Sequence, residues 1–297
     1  EAMNDLADHC TICHKCQTPC PVKIDYGQVT TRLRRILVHR QQKHFSPGAW
    51  AALSFLNSKD PRAIRLLRVG LARWGFRGLN LASATARRLG LFRLQGPPAV
   101  TTGQPKAYQM AKEMLRRPIR VEVPKRTFRQ ILALEDSNQI PILRDPSRQP
   151  EEMEAVFYFP GCGSERLFSE IGLATLALLY DLGAQTVLPP GYLCCGYPQS
   201  AAGYEEQGRR LTMENRVLFH RVANTLNYLD IHTILVSCGT CMDQLLHYEF
   251  ERIFPGCRLL DIHEYLMEQG LTLSSLSADQ PTTPGDVNQP VKGTASE

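Results

Sequence analysis

Residues 155–162 read AVFYFPGC. Five consecutive apolar residues make a strand of the fully buried kind, and Pro160-Gly161 ends it beside a cysteine. The arrangement recurs downstream. QTVL (185–188) leads into the loop PPGYLCCGYP, which carries Cys194 and Cys195, and HTILVS (232–237) runs straight into CGTC, with Cys238 and Cys241. CRLLDI (257–262) reads as a further short strand. Helical periodicity fills the gaps. It covers residues 165–182, with Leu167, Ile171, Ala174, Leu178 and Leu182 on one face, then 202–229, about 241–252, and HEYLMEQ after the last strand. Strands alternating with helices predict an α/β class with a parallel sheet flanked by helices.

Outward from this block the pattern changes. Residues 1–27 form a short cysteine-rich module and 28–44 a basic helix. Residues 49–57 and 61–94 read as helical, broken by Gly70, Gly75, Gly78 and Gly90. Residues 95–106 (QGPPAVTTGQPK) are a linker, so 28–106 form a basic helical region with its linker. Residues 107–150 are a mixed connecting segment without an assigned fold, 151–270 hold the strand–helix alternation, and 271–297 have the composition of a disordered tail. The 297 residues, 43% hydrophobic, exclude wholesale disorder. No apolar run reaches 18 residues, which argues against a membrane-spanning helix. The chain opens on Glu1 without a visible signal peptide, and reads as a piece of a longer or processed polypeptide. Charge is divided: 26 Lys and Arg against 10 Asp and Glu in residues 1–150, but 8 against 19 in 151–297. Such a split suggests two units with different surfaces.

Nine of the ten cysteines are clustered, at 10, 13, 16, 20, 162, 194, 195, 238 and 241. Repeated C-x2-C spacings in a long chain without export signals favour thiolate ligands in a reducing, cytoplasmic compartment over disulfides. CTICHKCQTPCP is C-x2-C-x2-C-x3-C-P, the ferredoxin-type pattern in which the fourth cysteine often serves a different cluster. Cys10, Cys13, Cys16 and Cys20 are therefore candidate ligands of a 4Fe-4S cluster; a zinc knuckle would pair two C-x2-C units across a spacer. The missing partner for Cys10, Cys13 and Cys16 would come from a matching motif upstream of Glu1, or Cys20 closes its own cluster. His9 and His14 flank the loop in solvated or supporting roles. The second set, Cys162, Cys194, Cys195, Cys238 and Cys241, lies at the carboxyl ends of three predicted strands, where an open parallel sheet gathers its ligand sites. Four or five thiolates there suggest a metal or cluster; the alternative is a vicinal disulfide or ordinary buried thiols. Cys257 lies outside the pattern, on a strand, as a core residue.

GC-x31-CCG-x40-SCGTC resembles the CCG, or cysteine-rich, domain. That domain occurs in heterodisulfide reductases, anaerobic glycerol-3-phosphate dehydrogenases, glycolate oxidase iron–sulfur subunits and lactate-utilisation proteins. The ferredoxin motif preceding it matches the order in that family. The resemblance covers residues 1–27 and 155–268. It implies that Cys162, Cys194, Cys195, Cys238 and Cys241 hold a second iron–sulfur cluster, of noncubane type with five cysteines, or zinc with four. Relatives usually carry two CCG repeats; this chain carries one, and its Cys195-to-Cys238 interval is longer than usual.

By that resemblance the chain is the electron-transfer component of a flavin-linked oxidoreductase acting on a 2-hydroxy acid such as lactate or glycolate, with FAD only on a partner dehydrogenase domain or subunit. Two alternatives stand beside it: a non-redox zinc-binding, partner-docking module, and a catalytic site like that of heterodisulfide reductase. Residues 59–93 hold nine Lys and Arg against one acidic residue. They read as a helical spacer on a partner domain, with peripheral contact to the inner face of a membrane, or to a quinone, as the other option. No motif supports nucleic-acid binding, and the chain has no recognisable nucleotide or flavin motif.

Overall fold

The computed structural model describes residues 2–89, 124–149 and 153–271. Its centre is a five-stranded sheet of β1 (Ile142–Leu143), β2 (Ala155–Phe159), β3 (Gln185–Val187), β4 (Thr233–Val236) and β5 (Arg258–Asp261), in the order β1-β3-β2-β4-β5. β3, β2, β4 and β5 are mutually parallel, with Phe157 opposite Val187 on one side and Ile234 on the other; β1 closes the edge antiparallel to β3. The α/β class with a mostly parallel sheet is as expected.

The helices of this block are α7 (Gly161–Arg166), α8 (Ser169–Asp181), α9 (Tyr197–Ala201), α10 (Glu205–Thr225), α11 (Gly239–Leu245) and α12 (Ile262–Glu268). Every residue of β2 is buried because side chains of alternating parity enter two cores. Phe157 and Phe159 pack with Phe219 and Val222 of α10, Tyr248 and Phe254 on one face. Val156 and Tyr158 pack with Leu176 and Leu179 of α8 and with Ile262 and Tyr265 of α12 on the other.

Upstream lie α1 (Ala2–His9), α2 (Tyr26–His39), α3 (Pro47–Asn57), α4 (Pro61–Leu67), α5 (Gly75–Arg88) and α6 (Phe128–Ile131). Asp25, Ser46 and Asp60 cap α2, α3 and α4 through their side chains, and proline follows the latter two caps at the first helical position. The breaks expected at Gly70, Gly75 and Gly78 do not occur. Arg68–Trp74 widens into a π-helical stretch and α5 follows without a gap. A glycine costs a helix about 1 kcal/mol, and here buried Ile64, Arg68, Ser83 and Ala86 anchor the run. Gly90, the linker at 95–106, residues 107–123 and the tail from 272 lie outside the described residues.

Three further expectations are corrected. The segment left without a fold supplies α6 and β1. The face of α8 is also turned: Gly172, Thr175, Leu176 and Leu179 are buried, whereas Ile171 is 47% exposed and Ala174 is exposed. The cause is Phe128 of α6, fully buried against Gly172, where a β-carbon would meet its ring at 2.8 Å. Cys257 precedes β5 rather than lying on it, and is half-buried against the first core. No described helix is long and apolar enough to cross a membrane.

Candidate metal centre

The chain leaves β2 for β3 on one side, then crosses to β4 and β5 on the other. The carboxyl ends of β2 and β4 therefore flank the point where successive connections diverge, the crevice in which open α/β sheets bind ligands. Cys162 is the second residue of α7, just past β2, and Cys238 is the N-terminal flanking residue of α11 just past β4. Cys194 and Cys195 reach the same place on the loop after β3. All ten cysteines are free thiols.

The five thiols meet pairwise in a string. Cys162 contacts Cys194, Cys194 contacts Cys195, Cys195 contacts Cys241, and Cys241 contacts Cys238. Gly161 permits the closure. Its φ is +76°, and a β-carbon there would stand 2.8 Å from the Cys241 sulfur. Among the described residues, no three His, Cys, Asp or Glu side chains close around one ion position.

The contacts divide the protons. The Cys238 thiol is drawn down to about 5, first by a hydrogen bond with Cys241 that outweighs its burial. Cys195 is lowered by its contacts with Cys194 and Cys241. Cys194 rises to about 11: its contact with Cys162 lowers it, but that with Cys195 and burial prevail. Cys162 and Cys241 are pushed well up, chiefly because each gives its proton to a neighbouring sulfur, and then by burial. Thiolates are the metal-binding form; the contacts favour it at Cys238 and Cys195 and oppose it at the other three, and metallation would release protons.

Side chains not expected from the sequence fix the loop. The backbone N–H of Leu193 donates to Glu165 (3.2 Å), and its carbonyl accepts from Arg166 (3.0 Å). The Cys194 carbonyl accepts from Asn215 (2.8 Å), and the Cys195 carbonyl from the Tyr248 hydroxyl (2.8 Å). Three successive carbonyls are thus tied to buried donors. Glu165 in turn forms a fully buried ion pair with Arg129 of α6 (2.5 Å), whose guanidinium also donates to Pro189 (2.8 Å). Glu165 and Arg166 follow Cys162 on the same helix, a signal the sequence offered; nothing local marked Arg129, Asn215 or Tyr248.

Residues 156–246 match the cysteine-rich family named CCG. They are a CCG domain. The chain is 25% identical over 245 residues to the probable glycolate oxidase iron-sulfur subunit of Bacillus subtilis, covering 81% of this chain and 47% of that protein. It is 29% identical over 96 residues to lactate utilization protein A of Exiguobacterium sp. (32% and 36% of the two chains). It is 26% identical over 112 residues to one of the subunits of the fumarate reductase (CoM/CoB) of Methanothermobacter marburgensis (38% and 21%). The chain spans less than half the length of each of these relatives. No solved structure gives a significant match.

The first cysteine group lies on the loop joining α1 to α2, packed beside this CCG domain. Cys10 and Cys20 are half-buried; Cys13 and Cys16 are exposed. Ile12 and His14 adopt φ of 55° and 56° on either side of Cys13. Such alternation of handedness gathers backbone N–H groups into an anion-binding concavity, as at many iron–sulfur sites. Backbone N–H groups of Ile12 and Ile24 donate to the sulfurs of Cys10 and Cys20 (both 3.4 Å). Cys13 is lowered by the Lys15 N–H and the Thr11 hydroxyl. His14 is held by Asp25 (2.6 Å). Arg34 of α2 joins the two regions, donating to the Cys10 carbonyl (2.7 Å) and to that of Ala201 in α9 (2.8 Å). A cleft of about 300 Å³ lies between them, lined by Ile12, His14, Arg32, Tyr197 and Asp243.

Proposed function

We propose that the chain is an iron–sulfur electron-transfer unit of an oxidoreductase, with one 4Fe-4S cluster on Cys10, Cys13, Cys16 and Cys20 and a second cluster on Cys162, Cys194, Cys195, Cys238 and Cys241. The observation that carries it is the pairwise string of five thiols at the sheet's switch point. Sulfurs arranged in a string suit a group of several metal ions bound by different thiolates. One zinc would need four of them around a single point. The concave backbone and the N–H donors on the sulfurs of the first loop suit an anionic cluster as well. When bound, such clusters supply one-electron transfer. The chain's own residues hold the sulfurs in place, and burial shields Cys194, Cys195 and Cys241 from water.

The relatives named as a probable glycolate oxidase iron-sulfur subunit and as lactate utilization protein A support a partner that oxidises a 2-hydroxy acid. The partner would carry the flavin, and both would work in the cytoplasm. Arg34, bound to both cysteine regions, supports electron passage between the two centres. The test is oxygen-free purification followed by iron, acid-labile sulfide and zinc analysis. About four or more irons with matching sulfide, and an EPR signal removed by Cys13→Ser, are expected. One zinc and no sulfide per chain would refute the reading.

A further inference from the structure

We propose that Arg166 is the buried counter-charge of the thiolate site in the CCG domain, and that it raises the reduction potential of the cluster held there. The proposal rests on the iron–sulfur reading above and adds a residue that touches no reacting atom, acting through the thiolates.

A guanidinium keeps its proton in proteins, and burying a charge without a partner costs several kcal/mol. Arg166 is 0% exposed. The neighbouring buried cation, Arg129, is neutralised by Glu165. Among the described residues no carboxylate lies within ion-pair distance of Arg166. Its guanidinium donates to two neutral carbonyls, Leu193 (3.0 Å) and Ser58 (2.8 Å), and lies 5.6 Å from the centre of the Tyr192 ring. Its Nε has no hydrogen-bond partner. Among the described residues Arg166 is therefore a fully buried positive charge without an acidic partner.

Its position names the missing anion. Arg166 stands four residues after Cys162 on α7, one helical turn away, and is bonded to the carbonyl just before Cys194. Its charge favours the Cys162 thiolate, against the stronger effects that oppose it. Metallation turns the thiols into thiolates and makes the site anionic, and adding an electron makes it more so. A fixed cation therefore favours the reduced state, since net charge is among the determinants of cluster potential.

The alternative is a tether that fixes the loop to Ser58 through hydrogen bonds alone. Arg166→Lys keeps the charge and loses the fork; Arg166→Gln and Arg166→Met lose the charge. Each would be purified without oxygen, assayed for iron and sulfide, and titrated electrochemically with EPR detection. The expected result is full clusters in all three, with the CCG-site potential near wild type in the Lys variant. In the Gln and Met variants it should fall enough to lower the reduced-to-oxidised ratio at least tenfold at fixed ambient potential, about 59 mV for one electron. Should the uncharged variants fail to assemble, assembly in Arg166→Lys alone supports the proposal. Equal failure of all three, unchanged potentials in the uncharged variants, or an equal shift in the Lys variant would overturn it. A wild-type chain without iron and sulfide would instead refute the iron–sulfur reading.

Discussion

Replacing Gly161 by alanine tests the geometry of the thiol string most directly. The backbone there has φ +76°, and the left-handed region costs an L-residue roughly 1–2 kcal/mol. The added β-carbon would stand 2.8 Å from the sulfur of buried Cys241. Relief requires that sulfur to move within a packed core, which costs about 1–3 kcal/mol. The two effects give a loss of about 2–5 kcal/mol, read as a lower urea midpoint for the metal-free protein. Cys241 links Cys195 to Cys238, so iron content at the CCG site should fall as well. Gly239→Ala is the control. It begins α11 with nothing within 4 Å of the new carbon, and alanine is the better helix former by about 1 kcal/mol. If Gly161→Ala matched Gly239→Ala in midpoint and iron content, the proposed closure of the thiols around Gly161 would be wrong.

Arg129→Met should cost about 3–5 kcal/mol by leaving Glu165 buried without its partner, and Arg129→Met with Glu165→Leu less than the two changes added; a double-mutant cycle by denaturation measures this. In the metal-free protein, alkylation of Cys238 should already be near its plateau above pH 6, because its thiol lies at about 5. Cys194, at about 11, should react only in alkali; peptide mapping after iodoacetamide at graded pH decides. For Asp25, burial pushes the carboxyl up, but His14 and the Gly27 N–H outweigh it and hold it below 3.8. Its contribution is therefore complete above pH 3.8 and lost as pH falls below that, so acid should unfold wild type by a steeper profile than Asp25→Asn, followed by circular dichroism.

Much of the CCG domain was legible because its signals are local. AVFYF, bounded by Pro160-Gly161, is β2 to the residue, and the convergence of Cys162, Cys194-Cys195 and Cys238-Cys241 follows from strand ends in a parallel sheet. What escaped depends on distant partners. The buried face of α8 is chosen by Phe128, some forty residues earlier, and no periodicity within the helix reveals that choice. Arg129 reads as an ordinary surface cation until Glu165 is seen against it. The glycines of 61–89 predict breaks by propensity alone, whereas buried neighbours keep that stretch helical.

The Leu193–Cys195 loop has a dynamic consequence. With its three carbonyls bonded to Arg166, Asn215 and Tyr248, and with satisfied buried networks being stiff, it has little room to follow a change of charge beside it. A redox group seated there would keep nearly the same nuclear positions in both oxidation states. The reorganisation energy would then be small, and electrons could cross with little thermal activation in either direction.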